Sequence, residues 1–135
     1  MRDIKFRAKV KHNGFHYFAG EWIIGHYHKN KNGEHLIFDN EENYIANIGD
    51  FTAYEDVEID ESTLGQYTGL KDKNGVKIYE GDLIKEYWQK EPSVVVYFVG
   101  AFGFFDAYNN FHHLSTTNEL ASVVGNIHDK GGKRK

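Results

Sequence analysis

The chain contains no cysteine. Disulfides and thiolate metal sites are therefore excluded, and a reducing compartment is the natural setting. No apolar run approaches the ~20 residues that a membrane helix needs. The opening MRDIKFRAKV alternates charged and apolar residues without an apolar h-region, so it does not read as a secretory signal. These absences predict a soluble, cytoplasmic protein with no membrane partner. Catalytic signatures are missing as well. There is no HExxH-like spacing for zinc. Ser93, Ser115 and Ser122 lack the G-x-S-x-G context of an activated serine. Gly65-x-x-x-Gly69 has no Lys-Ser/Thr after it, so it is not a phosphate loop. Proline occurs once, at Pro92, where Glu91-Pro92 reads as a loop.

What is abundant points to strands and turns. With 10 Phe, nine Tyr and 14 Gly among 135 residues, the composition favours β structure over helix. That length fits one domain, or two small lobes closely packed. It can bury roughly two thirds of its unfolded surface without covalent staples.

Charge is uneven. The formal net charge is −4, but Lys130, Lys133, Arg134 and Lys135 are four of the 16 basic residues. The remaining body then holds 12 basic against 20 acidic residues, a net −8. Residues 39–70 carry nine acids and no Lys, Arg or His, whereas Arg2, Lys5, Arg7, Lys9 and Lys11 crowd the first strand. Such runs are commonly solvated faces; an acidic face can also steer a basic partner.

Ile4, Phe6, Ala8 and Val10 alternate with Lys5, Arg7, Lys9 and Lys11, the period of a half-buried strand. Asn13-Gly14 and Asn30–Gly33 mark turns, with strand material at 15–18, 22–27 and 35–38. Residues 39–50 read as a polar, turn-rich connection, and 51–59 as a strand with acids interleaved. Asp72-Lys73-Asn74-Gly75 is the strongest hairpin signal, since Asn and Gly tolerate positive φ. Strands are expected at 76–79 and 83–88 around Glu80-Gly81-Asp82, where Asp82 can cap backbone N–H groups. Ser93–Val99 is the most apolar strand and is expected to be central, with 100–105 returning towards Tyr108. Thr116 and Glu119 have capping-box spacing for at most one helical turn, and 123–127 reads as the last strand. Phe6, Trp22, Phe98 and Phe104 are expected to share a core. Residues 129–135 are expected to be a disordered basic tail.

Residues 63–84, TLGQYTGLKDKNGVKIYEGDLI, form the most distinctive segment. They resemble the core of the YopX family of phage and prophage proteins. The resemblance extends to Ile4-Lys5-Phe6-Arg7, to Glu21-Trp22-Ile23-Ile24-Gly25 and to Val123-Val124-Gly125-Asn126-Ile127. After Ile127 the chain departs from the family's usual continuation. The resemblance implies a mainly β fold, with an SH3-like barrel or roll over 61–128 and a β-rich segment, 1–60, packed on it as one unit. It also implies a bacterial host cell as the setting. It brings no established activity. The motif residues Gly65, Gln66, Tyr67, Gly69, Leu70, Asn74, Gly75, Tyr79, Gly81 and Asp82 are those that turns and core would need, so they are read as structural.

No catalytic, cofactor-binding or metal-binding residue is expected. His26 and His28 share a strand face, His12 and His16 flank a turn, and His112-His113 are adjacent, but none has a zinc spacing. Glu80, Asp82 and Asp72 read as turn carboxylates. Three functions remain in order of preference. The first is a non-catalytic module binding a host or phage protein, or itself, through Tyr87, Trp88, Glu41, Glu42, Asp56 and Glu58. The second is a nucleic-acid-binding barrel contacting phosphates through Arg7, Lys9, Lys85, Lys133, Arg134 and Lys135. The third is a metal-dependent enzyme using histidines and acids.

Overall fold

The alternation in the first strand places Ala8 and Val10 in a core, and a computed structural model of the chain gives the architecture around them. It describes residues 4–14, 17–38, 44–48, 51–54 and 56–129. The fold is mainly β, and every described strand pairing is antiparallel. Two compact units divide between Gln66 and Tyr67.

The unit over Ile4–Gln66 contains β1 (Phe6–Val10), β2 (Trp22–Lys29), β3 (His35–Phe38), β4 (Tyr44–Ile48), β5 (Phe51–Tyr54) and most of β6 (Asp56–Lys71). The connection expected over 39–50 thus supplies a strand, β4, which pairs with β5. β1 pairs with β2, β2 with β3, β3 with β6, and β6 returns to β1. Ala8, Val10, Ile23, Ile37, Val57 and Ile59 form its core, with Phe6, Tyr17, Tyr27 and Leu64 packed against it. The β1–β6 register breaks between Arg7 and Lys9. There the Thr63 hydroxyl accepts the Lys9 N–H at 2.8 Å and donates to the Asp60 carbonyl at 2.6 Å. A side chain therefore replaces the backbone acceptor that the irregularity takes away.

From Tyr67 onward the second unit holds the end of β6, β7 (Lys77–Tyr79), β8 (Asp82–Lys85), β9 (Ser93–Val94), β10 (Val96–Phe98), β11 (Ala101–Phe105), β12 (Phe111–His113) and β13 (Ser122–Asn126). The last six, β8 to β13, form two three-stranded sheets, ordered β10-β11-β12 and β13-β8-β9. Ile78, Ile84, Val95, Phe104, Leu114 and Ala121 make the core.

Several expectations are corrected. Ser93–Val99 is not one central strand but two short edge strands. It breaks at Val95, whose N–H donates to the Asp82 carbonyl and whose carbonyl accepts the Gly81 N–H. The strand expected over 83–88 stops at Lys85, because the Gln89 N–H closes a turn onto the Glu86 carbonyl. Phe98 does not share a core with Phe104: it is 44% exposed and packs on Phe105 and Phe111, while Phe104 is fully buried. Thr116 caps no helix. Its hydroxyl donates back to the His113 carbonyl, and 114–120 forms two short 3-10 turns.

The 63–84 segment is tied down by its own turns and by β13. Asp72 Oδ1 accepts the N–H groups of Asn74 and Val76, and its Oδ2 accepts that of Val123, 51 residues away. Gly75 takes φ +80°, which a side chain would strain. Asp82 is fully buried; it accepts the Tyr79 N–H at 2.8 Å and the Asn126 amide at 3.2 Å. Tyr67 and Tyr79 pack ring against ring at 5.3 Å.

Candidate binding groove

A single turn chemistry recurs three times. Asn30, Asp72 and Asp106 each use one side-chain oxygen to accept the N–H groups two and four residues on. The third residue on takes positive φ in each: Gly33 at +82°, Gly75 at +80° and Asn109 at +65°. The first two turns follow from their Asn-Gly pairs. The third, over 106–110, went unread because asparagine stands where glycine does elsewhere. The pattern Asp-x-x-Asn was its available signal.

This third turn forms one wall of a groove. The other wall is the loop after β8, held by Gln89. Gln89 is 7% exposed; its Oε1 accepts the Glu86 N–H at 2.8 Å and its Nε2 donates to the Ser93 hydroxyl at 2.9 Å. Ser93 in turn donates to the Phe105 carbonyl. Between the walls lies a cavity of about 480 Å3, lined by Trp88, Gln89, Lys90, Glu91, Pro92, Ser93 and 106–108. That volume lies within the range of small-ligand pockets.

The aromatic wall is backed by a stack. Trp88 lies 5.5 Å from the His112 ring, and His112 lies parallel to buried Phe104 at 4.9 Å. His112 Nε2 meets Asp106 Oδ2 at 2.8 Å. The bond from His112, with the N–H groups of Asn110 and Tyr108, holds the Asp106 carboxyl down at about 2. Asp106 is thus a fixed anion that locks the turn and braces the ring behind Trp88. Trp88 remains 46% exposed and Tyr108 87% exposed. The groove therefore offers open aromatic surface on a rigid frame.

The predicted site residues fall as follows. Trp88 lines the groove. Tyr87, 94% exposed, sits on the same loop but does not line the cavity. Both lie in a turn and not on the strand expected over 83–88. Asp56 and Glu58 belong to the other unit, on β6: Asp56 lies 3.7 Å from His28, and Glu58 is 3.4 Å from both Lys11 and His12. Nearby, His35 meets Glu61 at 2.7 Å. Among the described residues, no three His, Asp or Glu side chains are placed to share a metal ion. Arg7 is only 3% exposed, its guanidinium 4.7 Å from the Trp22 ring centre, with the Lys9 amine 5.4 Å from the same ring. Arg7 is therefore a packed cation and not an open phosphate contact. Lys85 is exposed. Glu41, Glu42, His16, Lys133, Arg134 and Lys135 lie outside the described residues. Pro92, Asp106, Tyr108 and His112 are groove components that the sequence reading had not assembled.

Among solved structures, the chain is similar to protein EF1440 from Enterococcus faecalis. The two are 22% identical over 95% of each chain, with a TM-score of 0.49. Comparison with curated proteins gave no match. No described helix is long and apolar enough to cross a membrane. The YopX protein family matches residues 5–132, nearly the whole chain, and this protein belongs to that family.

Proposed function

We propose that this YopX family chain is a non-catalytic protein-binding module of phage or prophage origin that works in the bacterial cytoplasm. In this reading the part from Tyr67 onward is an SH3-like roll whose groove between 86–93 and 106–110 takes the partner. The observation that carries the reading is the groove itself, with half-open Trp88 and open Tyr108 mounted on hydrogen-bonded turns. Exposed Trp and Tyr on a rigid frame are the commonest anchors of protein interfaces. Two observations weigh for protein over nucleic acid. Arg7 is buried against Trp22, and the groove presents Glu91 and Asp106 beside a single cation, Lys90. A phosphate backbone would meet repulsion there.

A photo-crosslinking residue at Tyr108 tests the proposal in bacterial cells, with Val124 as a control position in the same unit. The expected result is a discrete protein adduct from position 108 and not from 124. Adducts of equal yield at both positions, or adducts to nucleic acid alone, overturn it.

A further inference from the structure

The groove has a definite hydrogen-bonding and shape character, which names a class of partner. Its open polar atoms include two donors, the Trp88 indole N–H and the Tyr108 hydroxyl, and neither has a hydrogen-bond partner among the described residues. An indole N–H can only donate. The backbone-directed polar groups of the walls are already used: Gln89, Ser93 and Asp106 are engaged in holding the two turns. The rest of the lining is ring surface from Trp88, Tyr108 and Pro92, together with Ala107 and the charged Lys90 and Glu91. A ligand that suits these walls shows carbonyl acceptors for the two donors and flat apolar faces of its own.

A polyproline II segment has that description. Its prolines carry no N–H, its carbonyls are bare, and its rings lie against aromatic side chains without further ordering cost. The charge at the rim adds direction. Glu91 and Asp106 line the groove against one lining cation, Lys90; the Asp106 carboxylate is paired with His112 at 2.8 Å, which leaves Glu91 as the open acid. A cationic residue beside the prolines meets that rim favourably. Resting on the protein-binding reading above, we infer that the groove between Trp88 and Tyr108 receives a proline-rich segment flanked by Arg or Lys.

The probe is decaproline bearing one terminal arginine, titrated into the full chain while the Trp88 indole and the 86–93 and 106–112 amides are followed by NMR. Saturable shifts at these signals are expected. Exchanging the terminal arginine for glutamate is expected to weaken binding about threefold to tenfold, the effect of one rim charge pair. Trp88→Ala is expected to cost roughly 30-fold or more, as for a central aromatic anchor. Tyr108→Ala, at a surface position that cannot disturb the core, is expected to weaken binding in the same direction. Absence of saturable shifts, or equal binding by an alanine-glutamine peptide with the same arginine, overturns the inference. A random peptide library panned on the wild-type chain and on Trp88→Ala separates the two levels. Trp88-dependent binders rich in proline support both. Trp88-dependent binders without proline keep the protein-binding reading and overturn the proline assignment. No Trp88-dependent binder overturns both.

Discussion

Replacing Asp82 by alanine leaves two buried donors without an acceptor, the Tyr79 N–H and the Asn126 side-chain amide. Asp82 itself is fully buried, so water cannot substitute. Each stranded buried donor costs about 1–3 kcal/mol, and the two together about 4 kcal/mol. Against the 5–15 kcal/mol that holds a domain of ordinary stability, that is a large share. With a urea slope of about 2 kcal/mol per molar, the unfolding midpoint should fall by about 2 M. Asp82→Asn keeps one acceptor oxygen but turns an NH2 group towards a donor, so roughly half the loss is expected. The assay is urea unfolding followed by Trp88 fluorescence in a Trp22→Phe background, which reports the unit containing Asp82. A loss below about 1 kcal/mol for Asp82→Ala would refute the assignment of this carboxylate as the clamp of the Gly81-Asp82 corner.

Three other outcomes follow from the same part of the chain. Gly103→Ala would place a Cβ 2.2 Å from the His112 carbonyl oxygen and 2.5 Å from the Phe111 ring. Because one obstacle is backbone, a loss of about 2 kcal/mol or more is expected, and a thermal melt unchanged within about 1 °C would contradict it. Val99 is a β-branched residue at φ +47° in the two-residue turn between β10 and β11, and it is 84% exposed. Val99→Asn should therefore stabilise by about 1 kcal/mol, and a lowered melting temperature would count against the strain argument. Asp106 has its folded carboxyl held at about 2, below the ordinary 3.8. The stabilisation it brings is thus present above pH 3.8 and lost as pH falls through 2. Asp106→Asn should flatten the decline of the urea midpoint between pH 4 and pH 2, and a decline as steep as in the wild type would refute the linkage.

Much of the fold was legible where a residue dictates its own backbone. Asp72-Lys73-Asn74-Gly75 announces its turn because the side chain, the positive φ and the hydrogen bonds all lie within five residues. The alternation in β1 likewise places Ala8 and Val10 inside. What escaped depends on distant partners. An uninterrupted run from Ser93 to Val99 carries no period, and its break at Val95 is set by the Gly81-Asp82 corner, more than ten residues back. Arg7 sits on the charged face of its strand by alternation, yet it is buried, with the ring of Trp22, which pairs with Lys9 on β2, against its guanidinium. The groove escaped for the same reason. Trp88 was visible as a candidate interface aromatic, but Tyr108 and Pro92 join it only when the 86–93 and 106–110 loops meet.

The separation of a folding motif from a binding surface is the central claim. Amide chemical-shift mapping of a saturating peptide ligand on the wild-type chain tests it most directly. The largest shifts are expected at residues 86–93 and 106–112, around Trp88, Pro92 and Tyr108, with 63–84 nearly silent. Largest shifts within 63–84 would mean that the motif is itself the binding site, contradicting the account.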